Sequence, residues 1–146
     1  MASTYFSLHV HVVFYTERRV PSIVTAWRDD LHAVLGGIAR RLEVKPVQIG
    51  GVADHVHLLL GMKATHCVSD VVREVKKVSS AWAGEHHRGF SWQTGYGAFS
   101  VGRTEIDRIV AYIANQEQHH RKVSAVDELR ALLGQHGIEI DERFFE

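Results

Sequence analysis

Asp54-His55-Val56-His57-Leu58-Leu59-Leu60 is the stretch on which the reading of this chain turns. Side chains alternate across a β-strand with period two, so His55 and His57 share one face. Val56 and Leu58 then point to the opposite face, where a core needs them. Two neutral imidazoles held side by side on a rigid element are a natural pair of metal ligands. A third ligand and a reacting group must come from elsewhere in the chain.

The chain has 146 residues, and 45% of them are hydrophobic, which suits a single domain spanning 1–146 with a real core. No apolar run approaches a membrane span and the N-terminus has no signal-peptide pattern, so a cytoplasmic protein without membrane contact is expected. The single cysteine, Cys67, excludes an internal disulfide and suits a reducing compartment. Lys+Arg and Asp+Glu both number 17, so any nucleic-acid contact must use a local basic patch rather than a global positive charge. The unusual number is 11 histidines.

Working outward, Tyr5 to Tyr15 alternates, with Phe6, Leu8, Val10, Val12 and Phe14 on one face and His9 and His11 on the other, which predicts a strand. Trp27, Leu31, Val34, Leu35, Ile38 and Leu42 recur at helical spacing. Val44 to Val52 is a second strand, broken at Gly50-Gly51, and His55 to Met62 a third. Val68, Val71, Val72, Val75 and Val78 mark a second helix, ending near Gly84. Gln93 to Val101 is a fourth strand. Thr104 is expected to cap a third helix that buries Ile106, Ile109, Val110 and Ile113. Ser124 to Leu133 is a last, shorter helix stopped by Gly134, and Ile138, Ile140, Phe144 and Phe145 in the tail need a surface. The order predicts an α+β fold: a ferredoxin-like βαββαβ antiparallel sheet with helices on one face, plus C-terminal helices. The other face is expected to be open for ligands. The first and third strands are central neighbours in that topology, which brings His9, His11, His55 and His57 together.

On the third helix, Tyr112 and Gln116 stand four residues apart and share one side, on the flank of the apolar stripe. His119 and His120 continue near that side. A set forms: His55, His57 and Gln116 as metal ligands, Tyr112 as nucleophile. His119 and His120 rival Gln116 as third ligand. His11 and Asp54 are possible additional site residues, and His9 is read as structural. A phenol is mostly neutral near pH 7. A divalent ion beside it can polarise a phosphate and stabilise its transition state, and tyrosine can form a covalent intermediate. The mixed nitrogen and oxygen donors suit Mg²⁺ or Mn²⁺.

Taken together, Asp54-His55-Val56-His57-Leu58-Leu59, Lys76-Lys77-Val78-Ser79-Ser80, Trp92 to Val101 and Tyr112-Ile113-Ala114-Asn115-Gln116-Glu117-Gln118-His119-His120 resemble the single-tyrosine HUH transposases of small bacterial insertion sequences. The resemblance runs over nearly the whole chain, in order. It implies a His-hydrophobe-His metal site, a helix-borne tyrosine nucleophile, a 5′-phosphotyrosine intermediate and a homodimer. It also implies single-stranded DNA with a hairpin at the element ends as substrate. In that family each active site can be built from both chains of the dimer.

Arg18, Arg19, Arg73, Lys76, Lys77, Arg121 and Lys122 are candidates for a phosphate-binding patch, with Trp92 as a base-stacking or core residue. Two other enzyme or binding readings stand beside the transposase. One is a related HUH endonuclease of the replication-initiator kind, including a domesticated one. The other is a noncatalytic nucleic-acid-binding ferredoxin-like module. A histidine-triad hydrolase is excluded, because the third alternating position is Leu59.

Overall fold

A computed structural model describes residues 3–145. Its sheet has the antiparallel order β2-β3-β1-β4, formed by β1 (Leu8–Tyr15), β2 (Lys45–Val52), β3 (His55–Met62) and β4 (Gly97–Val101). The helices are α1 (Thr25–Arg41), α2 (Val68–Gly84), α3 (Ile106–Ala114), α4 (Gln116–His119) and α5 (Ala125–Gln135). The first and third strands are central neighbours, as the topology requires, with Val13 opposite His57 and Tyr15 opposite His55.

Even-numbered residues of β1 and β3 supply the first core. Val12, Phe14, Val56, Leu58 and Leu60 pack with Trp27, Leu31, Leu35 and Ile38 of α1 and Val71, Val72 and Val75 of α2. The valine-rich α2 is held by this burial, which compensates for its modest helix propensity. The other face is not open. Val13, Tyr15 and Phe99 pack against Leu129 and Leu132 of α5, and Leu59 and Val101 against Ile109 and Ile113 of α3. Apolar residues therefore alternate onto both faces of the central strands, and α3 to α5 cover the face that carries the histidines.

The Gly50-Gly51 pair does not break β2: Gly50 pairs with His57 and Gly51 with Val56, and the register shift in this ladder falls earlier, between Pro46 and Gln48. A Cβ at Gly50 would lie 2.4 Å from the Ile113 carbonyl oxygen. The missing side chain lets α3 descend onto the sheet next to His57. Thr104 does not cap α3: it sits in a 3₁₀ turn, Arg103–Glu105, and no side chain caps the helix. Gly102 has ordinary extended backbone (φ −75°, ψ 157°) that any residue adopts. The fourth strand is shorter than Gln93 to Val101 because Trp92 only bridges Thr16 and the chain bends before Gly97. Ser124 caps α5 by accepting the Asp127 N–H, and α5 runs past Gly134 to Gln135. In the tail, Phe144 meets the Tyr15 ring edge-on, while Ile138 stays exposed.

Candidate active site

Strand alternation puts His55 and His57 on the face under α3 to α5, and both are fully buried. Each ring is oriented from behind. His55 Nδ1 lies 2.7 Å from Asp54 Oδ1, and His57 Nδ1 lies 2.8 Å from His11 Nε2. His11 reaches His57 diagonally, because it pairs with Leu59 one pleat away. His9 shares that face but pairs with Gly61, beyond the cluster.

The Nε2 atoms converge with groups from α4, α5 and the turn between them. Gln116 is almost fully buried, and its Oε1 lies 3.2 Å from His55 Nε2 and 2.9 Å from His120 Nε2. His120 Nδ1 donates to the Val123 carbonyl at 2.7 Å. The helix breaks between Tyr112 and Gln116, at Asn115 (φ −101°, ψ 19°), yet both side chains still meet at one place. His119, the other rival third ligand, lies on the Tyr112 side instead, 3.2 Å from the outer oxygen of a carboxylate.

That carboxylate, Glu128 of α5, is absent from the sequence-based set. It is 2% exposed. Its Oε1 lies 2.9 Å from His57 Nε2, 3.3 Å from His55 Nε2 and 3.2 Å from His120 Nε2. Its Oε2 accepts the Tyr112 hydroxyl and, at 3.0 Å, the Gln116 amide. The sequence carried a signal for it. Ala125, Glu128, Leu129 and Leu132 fall on one helical stripe, and a carboxylate on an apolar stripe needs buried partners.

Charges in this cluster are strongly coupled. Burial alone would raise the Glu128 carboxyl, but hydrogen bonds from His120, His55 and His57 hold it well below the usual range. Burial pulls the His55 imidazole down, yet Asp54 and Glu128 outweigh it and lift it to about 9. His57 is pushed down, chiefly by burial. Burial, then the carboxylate of Glu128, raise the Tyr112 phenol.

The donor set fits a divalent ion. The Nδ1 protons of His55 and His120 are committed to Asp54 and to the Val123 carbonyl. Their Nε2 atoms then face the Gln116 and Glu128 oxygens, a contact that needs either a second proton on the ring or a cation among them. The five distances of 2.9–3.3 Å between these nitrogens and oxygens match the spacing of roughly 3.0–3.4 Å expected for ligands about 2.1 Å from one ion. Histidines fixed from behind by a carboxylate or carbonyl are the usual arrangement around metals.

The sequence model of the family described as "Transposase IS200 like" matches residues 4–116. The chain belongs to this family. It is a transposase, and its chemistry is DNA transposition and recombination. Among solved structures, an assigned transposase of Deinococcus radiodurans R1 is 27% identical, with a TM-score of 0.65 over 80% of this chain and 95% of that one. A REP-associated tyrosine transposase bound to a REP hairpin is 16% identical and shares the fold, with a TM-score of 0.64 over 84% of this chain and 74% of that one. No curated protein sequence matches the chain. The family match ends at Gln116, so His119, His120 and Glu128 lie beyond it. No helix among the described residues is long and apolar enough to cross a membrane.

The transposase's candidate DNA-contact residues scatter. Trp92 is buried and donates its indole N–H to Ser79 Oγ at 3.0 Å, so it is a core residue with no free stacking face. Lys76 is half-buried and donates to the carbonyls of Gln93 at 2.6 Å and Gly95 at 2.9 Å, which ties α2 to the loop before β4. Arg19 donates to the Phe145 carbonyl at 2.8 Å. Arg73 pairs with Asp70 on the surface of α2, and Arg18 and Lys77 are exposed. Arg121 and Lys122 are exposed directly after His120, and Arg121 borders a cleft that also holds Asp54.

Proposed function

We propose that this transposase cleaves and rejoins single-stranded DNA through a 5′-phosphotyrosine on Tyr112, with a divalent ion held by His55, His57, Gln116, His120 and Glu128. The observation that carries the reading is the convergence of three imidazole Nε2 atoms on Glu128 Oε1, while Oε2 of the same carboxylate holds the Tyr112 hydroxyl. The nitrogen-rich donor set favours Mn²⁺ over Mg²⁺. Such an ion would supply charge stabilisation to a phosphate oxygen.

In this reaction the Tyr112 oxygen forms a bond to phosphorus as the P–O3′ bond breaks. The strand keeps a free 3′-OH, which takes its proton from solvent. Glu128 Oε2 already accepts the phenolic hydrogen, so the departing proton has an acceptor in place. His119 Nε2 lies 3.2 Å from that oxygen but makes no hydrogen bond to it. The ester bond energy is retained in the phosphotyrosine, so a second 3′-OH can be joined without ATP.

The substrate proposed is single-stranded DNA with a hairpin, and the assembly a homodimer. The resemblance drawn from the sequence implies both, and one structural neighbour was solved on a REP hairpin. The test is a covalent protein–DNA adduct on a denaturing gel with Mn²⁺ and hairpin oligonucleotides from the element ends. Adduct mapping to Tyr112, lost in Tyr112→Phe and in chelator, is the expected result. No adduct with any single-stranded substrate would overturn it.

A further inference from the structure

Beside Tyr112 lies a cleft of about 530 Å³ between the edge strand β4 and helices α3 and α5. Beyond Tyr112 and Glu128 at its inner end, neither the metal cluster nor the phosphotyrosine step uses it. Its volume lies within the range of small-ligand sites. The inner walls are apolar: Val101, Ile109 and Leu132 border it. On one wall, Phe99 and His136 lie nearly parallel, centroids 4.8 Å apart and planes at 28°. At the rim stand Arg108 of α3, tied to Glu105, and Gln135 of α5. The inner end reaches the Tyr112 side chain and Glu128.

Each feature narrows the ligand. Apolar walls beside the exposed ring of His136, itself stacked on the buried Phe99, suit a planar ring that gains from stacking. A guanidinium and an amide at the rim offer donors and an acceptor to ring edges. The opening next to the nucleophile means that a strand with its phosphate at Tyr112 must place an adjacent nucleotide at or near the cleft. In a duplex that base is paired and stacked. In a single strand it is free to turn in.

We infer that this cleft is a nucleobase pocket, which receives one unstacked base flanking the scissile phosphate and makes the transposase selective at that position. The inference rests on the proposed DNA-cleaving function. It deepens that function by giving the protein itself a part in reading the cut site.

Ala131 is exposed on α5 and lines the cleft, so Ala131→Trp fills the space without removing any side chain of the core or the histidine cluster. The first measurement needs neither metal nor cleavage. The labelled protein in chelator is titrated with each of the four 2′-deoxynucleoside 5′-monophosphates, and with inorganic phosphate as control, while amide NMR shifts are followed. At least one nucleotide should shift Phe99, Gln135 and His136, phosphate alone should not, and Ala131→Trp should weaken the effect at least tenfold. No shift with any nucleotide, an equal shift with phosphate, or unchanged binding in Ala131→Trp would overturn the pocket. The second measurement sequences adducts formed on a randomised single-stranded library. Wild-type protein should enrich one base next to the cut, and Ala131→Trp should flatten that enrichment. Equal enrichment in both proteins would also overturn it. Nucleotide binding without any adduct would instead sink the cleavage reading and leave the pocket standing.

Discussion

Tyr112 and Glu128 are joined by a hydrogen bond from α3 to α5, and the carboxylate that accepts it also closes the histidine cluster from above. One oxygen accepts the Tyr112 hydroxyl and the other faces the three imidazoles. In the proposed reaction the ion and the reacting hydroxyl would therefore depend on the same side chain. Glu128→Ala should lower Mn²⁺ affinity by about tenfold or more, in the range seen when residues around a metal are lost. It should also slow adduct formation. Glu128→Gln keeps an acceptor for Tyr112 but loses the charge, so it should recover stability more than metal affinity. Calorimetric titration of Mn²⁺ into both variants checks this, and wild-type affinity in Glu128→Ala would remove Glu128 from the ion's shell.

Tyr112→Phe deletes one oxygen. Glu128 Oε2 keeps the Gln116 amide at 3.0 Å, so no buried acceptor is stranded. Stability should change by only about 1 kcal/mol, the usual net worth of a hydrogen bond. Mn²⁺ binding should persist while the covalent adduct disappears. Urea unfolding, metal titration and a denaturing gel on the same preparation separate these effects. An adduct of undiminished yield would show that another tyrosine reacts.

The metal-free protein should lose stability as the solution becomes alkaline. The folded-state value of His55 lies at about 9, above its ordinary 6.5. A raised imidazole contributes fully below the unfolded value and is lost as pH climbs through the folded one. The window is therefore pH 6.5 to 9, with a loss of up to about 3 kcal/mol. His55→Ala should lack this slope. Saturating Mn²⁺ should remove it as well, because the ion would take the place of the proton among the same oxygens. Urea unfolding across that range in chelator and in Mn²⁺ measures the difference. A flat profile for the metal-free wild type would show that Asp54 and Glu128 do not hold a charged imidazole.

Lys76 is held by contacts that its residue type does not announce. A lysine beside Lys77 and Arg73 on an amphipathic helix suggests a phosphate patch, but its two carbonyl contacts tie α2 to the loop before β4. Lys76→Met should destabilise the fold by about 1–3 kcal/mol, as lost charge-assisted hydrogen bonds do, and leave the salt dependence of DNA binding almost unchanged. Arg121→Ala should do the reverse and lower the salt slope by about one. Binding isotherms at several salt concentrations decide between them.

The sheet, its strand order and the histidine pair were legible because alternation and helical spacing are local signals. His55, His57, Tyr112 and Gln116 all fall in one cluster for that reason. The covered second face was legible only in hindsight, from Val13, Tyr15 and Leu59 on the same side as the histidines. Glu128 and His120 were harder. Glu128 is 16 residues from Tyr112 on a separate helix, and its approach depends on the Asn115 break and the turn to Ser124. The Gly50 reading failed because a glycine that permits close helix packing looks, in sequence, like one that breaks a strand.

The position of Tyr112 bears on how a dimer would divide its labour. Its ring stands 5.7 Å from that of His57 in the same chain, edge to face, and its hydroxyl is bound to a carboxylate that also meets His57. Gly50 and Ile113 fix α3 at this place on the sheet, where no side chain intervenes. One chain thus holds every group of the proposed site, and sharing between chains would require α3 to leave a well-packed seat. Mixing a Tyr112→Phe chain with a His55→Ala/His57→Ala chain should therefore restore no cleavage. In such a heterodimer one subunit has ligands without a nucleophile and the other a nucleophile without ligands. Heterodimer formation is verified by differently tagged chains, and adduct yield is read on a gel. Recovery toward half of wild-type activity would show that the tyrosine helix does cross to the partner during catalysis, and that the arrangement within one chain is only its resting state.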